Sequence, residues 1–172
     1  MHGKSPCLLH LATHGFYYTP SKAADVNYLK GYTDAMSLSG LVLSGGNAAW
    51  LGKKLPKGVL GGILTANDIA RLDLSNTDMV VLSACQTGQG KATSEGLYGL
   101  QRAFKKAGVG TIVMSLWNVD DRVTSEFMAT FYERLTDKAN ALDKRKAFEE
   151  AKRIVRKNHP DPYHWAAFVM LD

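Results

Sequence analysis

The sequence predicts an α/β sandwich built on a largely parallel β-sheet. Two patterns carry that prediction. Short apolar runs without polar alternation, such as Met79-Val80-Val81-Leu82-Ser83-Ala84, are what strands buried on both faces look like. Longer amphipathic stretches at three-to-four spacing alternate with such runs later in the chain. A third observation fits the same architecture: the chemically capable residues gather just past the strands, where an open α/β sheet carries its ligands.

In order along the chain, residues 7–13 read as a buried strand ending at His14-Gly15, with His10 inside it as a hydrogen-bonded core residue. Residues 16–62 are rich in Gly, Ser, Tyr and Asn and hold one expected strand, at 41–44. Thr65, with Asp68 three residues on, caps a short helix over 66–72. The clearest strand is 79–84; Cys85 follows it directly, then a polar loop over 86–94. A helix over 95–107 carries Leu97, Leu100, Gln101 and Phe104 on one side and stops at Gly108. A third strand over 111–116 ends at Trp117-Asn118-Val119-Asp120-Asp121. Helices follow at about 122–135 and 141–157. His159-Pro160-Asp161-Pro162 then breaks the chain, with His159 and His164 in this Pro-rich turn, and 165–171 reads as a final strand.

The chain has 172 residues, 45% hydrophobic and 22% charged, which favours one domain with one core over residues 1–172. No window approaches the roughly 18 apolar residues of a membrane span. The first residues lack the features of a signal peptide, so a cytoplasmic location without membrane contact is expected. The net charge of +5 invites a nucleic-acid reading. The basic residues, however, cluster at 144–157, where Phe148, Ala151, Ile154 and Val155 form an apolar stripe and Glu149 stands four residues before Arg153. A solvated helix face is the simpler account, and nucleic acid is not an expected partner. Cys7 and Cys85 are the two cysteines; they make no disulfide framework and are expected as thiols. No Cys/His grouping has zinc-ligand spacing, and neither metal nor cofactor is expected.

A thiol attacks as thiolate, or as a base removes its proton, and an imidazole does this near neutral pH. On adjacent parallel strands, equivalent carboxyl ends lie about 5 Å apart. His14 and Cys85 could meet in this way although they stand 71 positions apart (85 less 14). Gly15 lets backbone N–H groups approach a ligand, Ala84 leaves space beneath the nucleophile, and the N–H groups of Gly15 and Cys85 could hold an oxyanion. The competing reading makes Cys85 a small buried hydrophobe. Spacing alone leaves both open.

The ordered motifs resemble a known family. Ala12-Thr13-His14-Gly15, Leu43-Ser44-Gly45, Leu64-Thr65 with Asp68-Ile69, the segment 78–90, Glu95-Gly96, Ser115-Leu116-Trp117 with Asn118-Val119-Asp120-Asp121, and Tyr163-His164-Trp165-Ala166-Ala167-Phe168 are similar to the CHAT domain. That domain is a caspase relative often joined to tetratricopeptide repeats. The resemblance spans nearly the whole chain. It implies a three-layer α/β/α caspase-like sandwich and a cysteine endopeptidase with Cys85 as nucleophile, His14 as general base, and Gly15 and Cys85 N–H groups as oxyanion hole. It implies a protein substrate bound as an added strand beside Trp117, Asn118 and Val119. Asp120 and Asp121 have two readings, an acidic pocket for a P1 arginine or a helix-capping pair. Gln86 stands where many relatives carry Glu, and Glu95 matches the family but equally suits a helix amino terminus. An upstream repeat or sensor domain as regulator, in bacterial signalling or defence, follows from family habit. The caspase-like sheet ordinarily has strands before the one bearing His. Those strands are expected to be missing here, with a bare sheet edge as the result; a fragment of a longer protein is the expected reason, and strands supplied by another chain the alternative. The alternatives are a catalytically silent interaction module and a different thiol enzyme, such as an acyl transferase or amidase.

Overall fold

The computed structural model describes residues 4–26, 28–55, 57, 61–83, 85–86, 94–137 and 143–172, with the backbone alone for Cys85, Gln86 and residues 94–97. The fold is mixed α/β with a mainly parallel sheet. Two compact units divide the chain, Met1–Ile112 and Val113–Asp172.

In the first unit, β1 (Leu8–Leu11) runs parallel to β5 (Met79–Leu82), with Leu8 opposite Met79 and Leu11 opposite Leu82. All four β5 positions are buried, as an unbroken apolar run predicts. β1 instead alternates exposed and half-buried positions; Leu8 is 41% exposed and His10 is exposed, so His10 is not the core residue expected. β1 is an end strand of its sheet among the described residues, which leaves one flank uncovered. On the other side of β5, β7 (Thr111–Ser115) begins where the Thr111 N–H donates to the Asp78 carbonyl at 2.8 Å.

The expected strand 7–13 proves to be divided. β1 ends at Leu11, and His14 opens β2 (His14–Tyr17), which belongs to a second four-stranded sheet. Its order is β4 (Ile63–Thr65), β3 (Ser39–Val42), β2 and β6 (Cys85–Gln86). β2 is antiparallel to β3 and parallel to β6. Thr13 marks the switch: its hydroxyl donates to the Val42 carbonyl of β3, tying the chain to the second sheet. Two sheets thus replace the single one expected, β3 starts two residues before the expected 41–44 strand, and Gln86 is strand rather than loop.

α1 (Pro20–Ala23) and α2 (Gly46–Trp50) are short helices within the stretch read as irregular. α3 (Ala66–Ile69) forms as expected, though it ends before residue 72. Its capping box is complete: the Asp68 N–H donates to Thr65 Oγ1 at 3.1 Å, and the Thr65 N–H donates to Asp68 Oδ2 at 3.0 Å. α4 (Ser94–Lys106) buries Leu100, Ala103 and Phe104, and Gly108 ends it with a φ of 100° that favours glycine.

In the second unit, β7 pairs with β8 (Phe168–Leu171), and the Leu116 N–H donates to the Ala167 carbonyl at 2.9 Å. α5 (Asp121–Thr136) packs on α6 (Lys144–Asn158). Phe127, Phe131, Phe148 and Phe168 are fully buried there; Phe127 stacks on Phe168 at 4.0 Å and meets Phe148 edge-on at 5.4 Å. Such pairs add about 0.5–1.5 kcal/mol each beyond area burial. The apolar stripe of α6 is Ala147, Phe148, Ala151 and Val155, with Ile154 half-buried; the expected start at 141 lies outside the described residues. Part of the basic row has local partners. Arg145 pairs with the Asp172 carboxylate, Lys152 donates to the Phe168 carbonyl at 3.0 Å, and the Arg156 guanidinium lies 4.8 Å from the Trp165 ring. Where a break was expected, Asp161 caps and Pro162 opens α7 (Pro162–Trp165). The last strand accordingly begins at Phe168 rather than 165. No helix among the described residues is long and apolar enough to cross a membrane.

Candidate active site

The break between the sheets preserves a register. Leu8 faces Met79, Leu11 faces Leu82 and His14 faces Cys85, every pair 71 positions apart (79 less 8, 85 less 14). The two segments therefore step together from the first sheet into the second, three residues beyond the ends of β1 and β5. Parallel neighbours lie about 4.8 Å apart, so the backbone brings positions 14 and 85 side by side. The placement differs from the one expected: both residues open strands instead of following their ends. His14 is exposed, with the Thr13 hydroxyl anchored on its cross-strand partner Val42. Gly15 is buried between Leu41 and Gln86. Ala84 and residues 87–90 of the Cys85 motif lie outside the described residues.

Beside His14 opens a recess of about 170 Å³. Strand alternation puts His14, Phe16 and Tyr18 on one face, and Gly15, Val42, Asn47 and Trp50 complete the lining. Phe16 meets Trp50 edge-on at 5.2 Å, and Tyr18 lies 5.4 Å from Trp50. Phe16 keeps its place because its cross-strand partner is glycine: a Cβ on Gly40 would come within 2.7 Å of the Phe16 ring. Burial pushes the Tyr18 phenol pKa up. Residue reading assigned no role to Phe16, Tyr18, Asn47 or Trp50. The usable signal was the i, i+2, i+4 alternation of His14, Phe16 and Tyr18.

In the second unit, Trp117 donates from Nε1 to the Tyr163 carbonyl at 2.8 Å, and the Tyr163 hydroxyl donates to the Asn118 carbonyl at 2.7 Å. Tyr163, a motif residue without an assigned role, thus braces the segment expected to template a substrate. Val119 is buried. Asp120 is the N-cap of α5, accepting from the Arg122 N–H at 2.9 Å, and that bond holds its carboxyl below the usual range. Of the two readings of Asp120, capping is the one its geometry shows. Asp121, the first residue of α5, is exposed.

Cys7 is an exposed free thiol. Among the described residues, no group of three or more His, Cys, Asp or Glu side chains is arranged to hold a metal ion.

The CHAT domain family matches residues 1–172, the whole chain. The chain belongs to the CHAT domain family. Tetratricopeptide repeat protein 28 from Mus musculus is 35% identical over 111 residues, which is 63% of this chain and 4% of that protein. Its Homo sapiens counterpart is 34% identical over 111 residues, with the same coverage. The match thus takes in a small part of either relative. For this CHAT domain, family membership makes a caspase-related peptidase architecture the frame in which the His14–Cys85 register is to be understood.

Proposed function

We propose that this CHAT domain is a cysteine endopeptidase that cleaves specific protein partners through a His14–Cys85 dyad. The observation that carries the reading is the preserved register, which brings a histidine and a cysteine side by side at the opening of two parallel strands. Positions paired in this way share one face of a pleated sheet. His14 takes the thiol proton as Cys85 attacks the scissile carbonyl, and returns it to the leaving amine. Backbone N–H groups of Gly15 and Cys85 stabilise the oxyanion, and water then hydrolyses the thioester. No metal or cofactor enters these steps.

The substrate lies as an extended strand beside Trp117, Asn118 and Val119. With Asp120 engaged as a helix cap, Asp121 supplies more of any acidic pocket for a P1 arginine. The family implies a caspase-like three-layer sandwich. The names of the relatives support an adjoining tetratricopeptide repeat as regulator. A cytoplasmic site of action fits this account.

Hydrolysis of a fluorogenic peptide library tests the reading. Cys85→Ala should abolish turnover, and His14→Ala should lower it by about 10²-fold or more, the usual worth of a positioned base. Turnover that persists in Cys85→Ala, or is unchanged in His14→Ala, contradicts the dyad. A folded, inert chain across the library would leave the non-catalytic module standing. In the same library, Arg at P1 should outrun Leu and Met, and Asp121→Asn should reduce that preference. An unaltered preference removes Asp121 from the pocket.

A further inference from the structure

We infer that the recess beside His14 is a subsite for an aliphatic side chain of the peptide substrate, of the size of Leu or Met. Its role as a subsite rests on the peptidase reading, whereas its capacity to bind an aliphatic group does not.

Size comes first. An apolar cavity of roughly 150 Å³ takes up benzene, so about 170 Å³ accommodates one medium or large side chain. The walls then select its chemistry. Phe16, Val42 and Trp50 present carbon, Asn47 and the Tyr18 phenol contribute neutral polar groups, and His14 is the one basic group among the described lining residues. Among the described residues no carboxylate lines the recess, so a Lys or Arg entering it loses water without an ion-pair partner there. Among the described residues no ammonium or guanidinium lines it either, and an Asp or Glu side chain leaves water with only the His14 imidazole to meet it. An aliphatic group loses no hydrogen bonds and gains the favourable transfer of its apolar surface.

Position supplies the third argument. His14, Phe16 and Tyr18 share one face of β2, and Cys85 is the register partner of His14. A side chain seated on Phe16 and Trp50 therefore belongs to a residue close to the scissile bond. The recess is held open by the backbone: Phe16 stands over Gly40, and α2 brings Asn47 and Trp50 from the other side.

The test separates binding from catalysis. The Trp50 indole N–H resonance, assigned with Trp50→Phe, is followed by NMR in Cys85→Ala protein. The probes are the N-acetyl methylamides of leucine, methionine, aspartate and lysine. Leucine and methionine should shift the resonance in a saturable way, with affinity roughly tenfold or more above that of aspartate or lysine, as burial of one aliphatic side chain implies. Asn47→Phe adds bulk to the lining at an exposed position and should weaken leucine binding about tenfold, with the rest of the spectrum confirming the fold. The indole N–H groups of Trp117 and Trp165 donate to carbonyls elsewhere and serve as controls that stay still. Absence of a Trp50 shift with any probe, a preference for lysine, or binding untouched by Asn47→Phe overturns the subsite. Saturable leucine binding in a chain without peptide hydrolysis would instead keep the recess and reject the peptidase. Hydrolysis indifferent to aliphatic residues near the scissile bond, together with no Trp50 shift, would do the reverse.

Discussion

Glu126 shows how much one side chain can couple. It accepts from Asn158 at 2.6 Å and lies 2.8 Å from His159 Nε2, joining the middle of α5 to the end of α6. Those hydrogen bonds, Asn158 first and His159 second, hold its carboxyl below the ordinary value of 4.5. A depressed acid stabilises the fold fully above that ordinary value, and the contribution disappears as pH falls through the lowered one. Glu126→Gln should therefore be less stable at pH 6 by up to about 1 kcal/mol, the gap closing as pH drops below 4.5. Urea denaturation across pH measures this, and a gap independent of pH would show that charge has no part in it. At the same scale, His14 and Cys85 were legible in the sequence because each follows an apolar run and carries a reactive group. Trp50 and Asn47 were not, because they reach the recess from a helix inside a stretch with no clear period. Asp120 was legible as an acid but not as a cap, since an N-cap aspartate and a specificity aspartate look alike until the Arg122 N–H is placed.

Elements whose signals are local came through best. Thr65 and Asp68 announce α3 by a capping box that depends only on residues three apart, and the box is present on both sides. Thr65→Ala should cost about 1 kcal/mol in urea denaturation, as cap removal typically does. An unchanged midpoint would mean that packing of the buried Ala66 and Ile69 alone sets this helix. β5 was equally legible, since four consecutive buried apolar residues have no other comfortable form. The division of the first strand was not. Residues 7–17 are mostly apolar throughout, and a change of sheet between Leu11 and His14 leaves no mark on hydropathy. Thr13 bonding to Val42, 29 residues away, makes the switch, and only the tertiary structure reveals that contact. The same blindness placed β3 late and left α1 and α2 unread.

For the whole molecule, the order of motifs identified the family before any geometry did, and the match over residues 1–172 agrees with it. What the motif order could not supply was the reason two residues 71 positions apart should meet. The shared offset of β1–β5 and β2–β6 supplies it: one parallel register, continued across two sheets, delivers both residues to one place. That claim is tested most directly by labelling with a thiol-reactive peptidyl electrophile, read at each cysteine by mass spectrometry. Cys7, an exposed thiol, is the internal reference. Cys85 should react far faster than Cys7, and His14→Ala should slow Cys85 by about 10²-fold while leaving Cys7 unchanged. Equal labelling of the two cysteines, or a Cys85 rate indifferent to His14, would contradict the dyad.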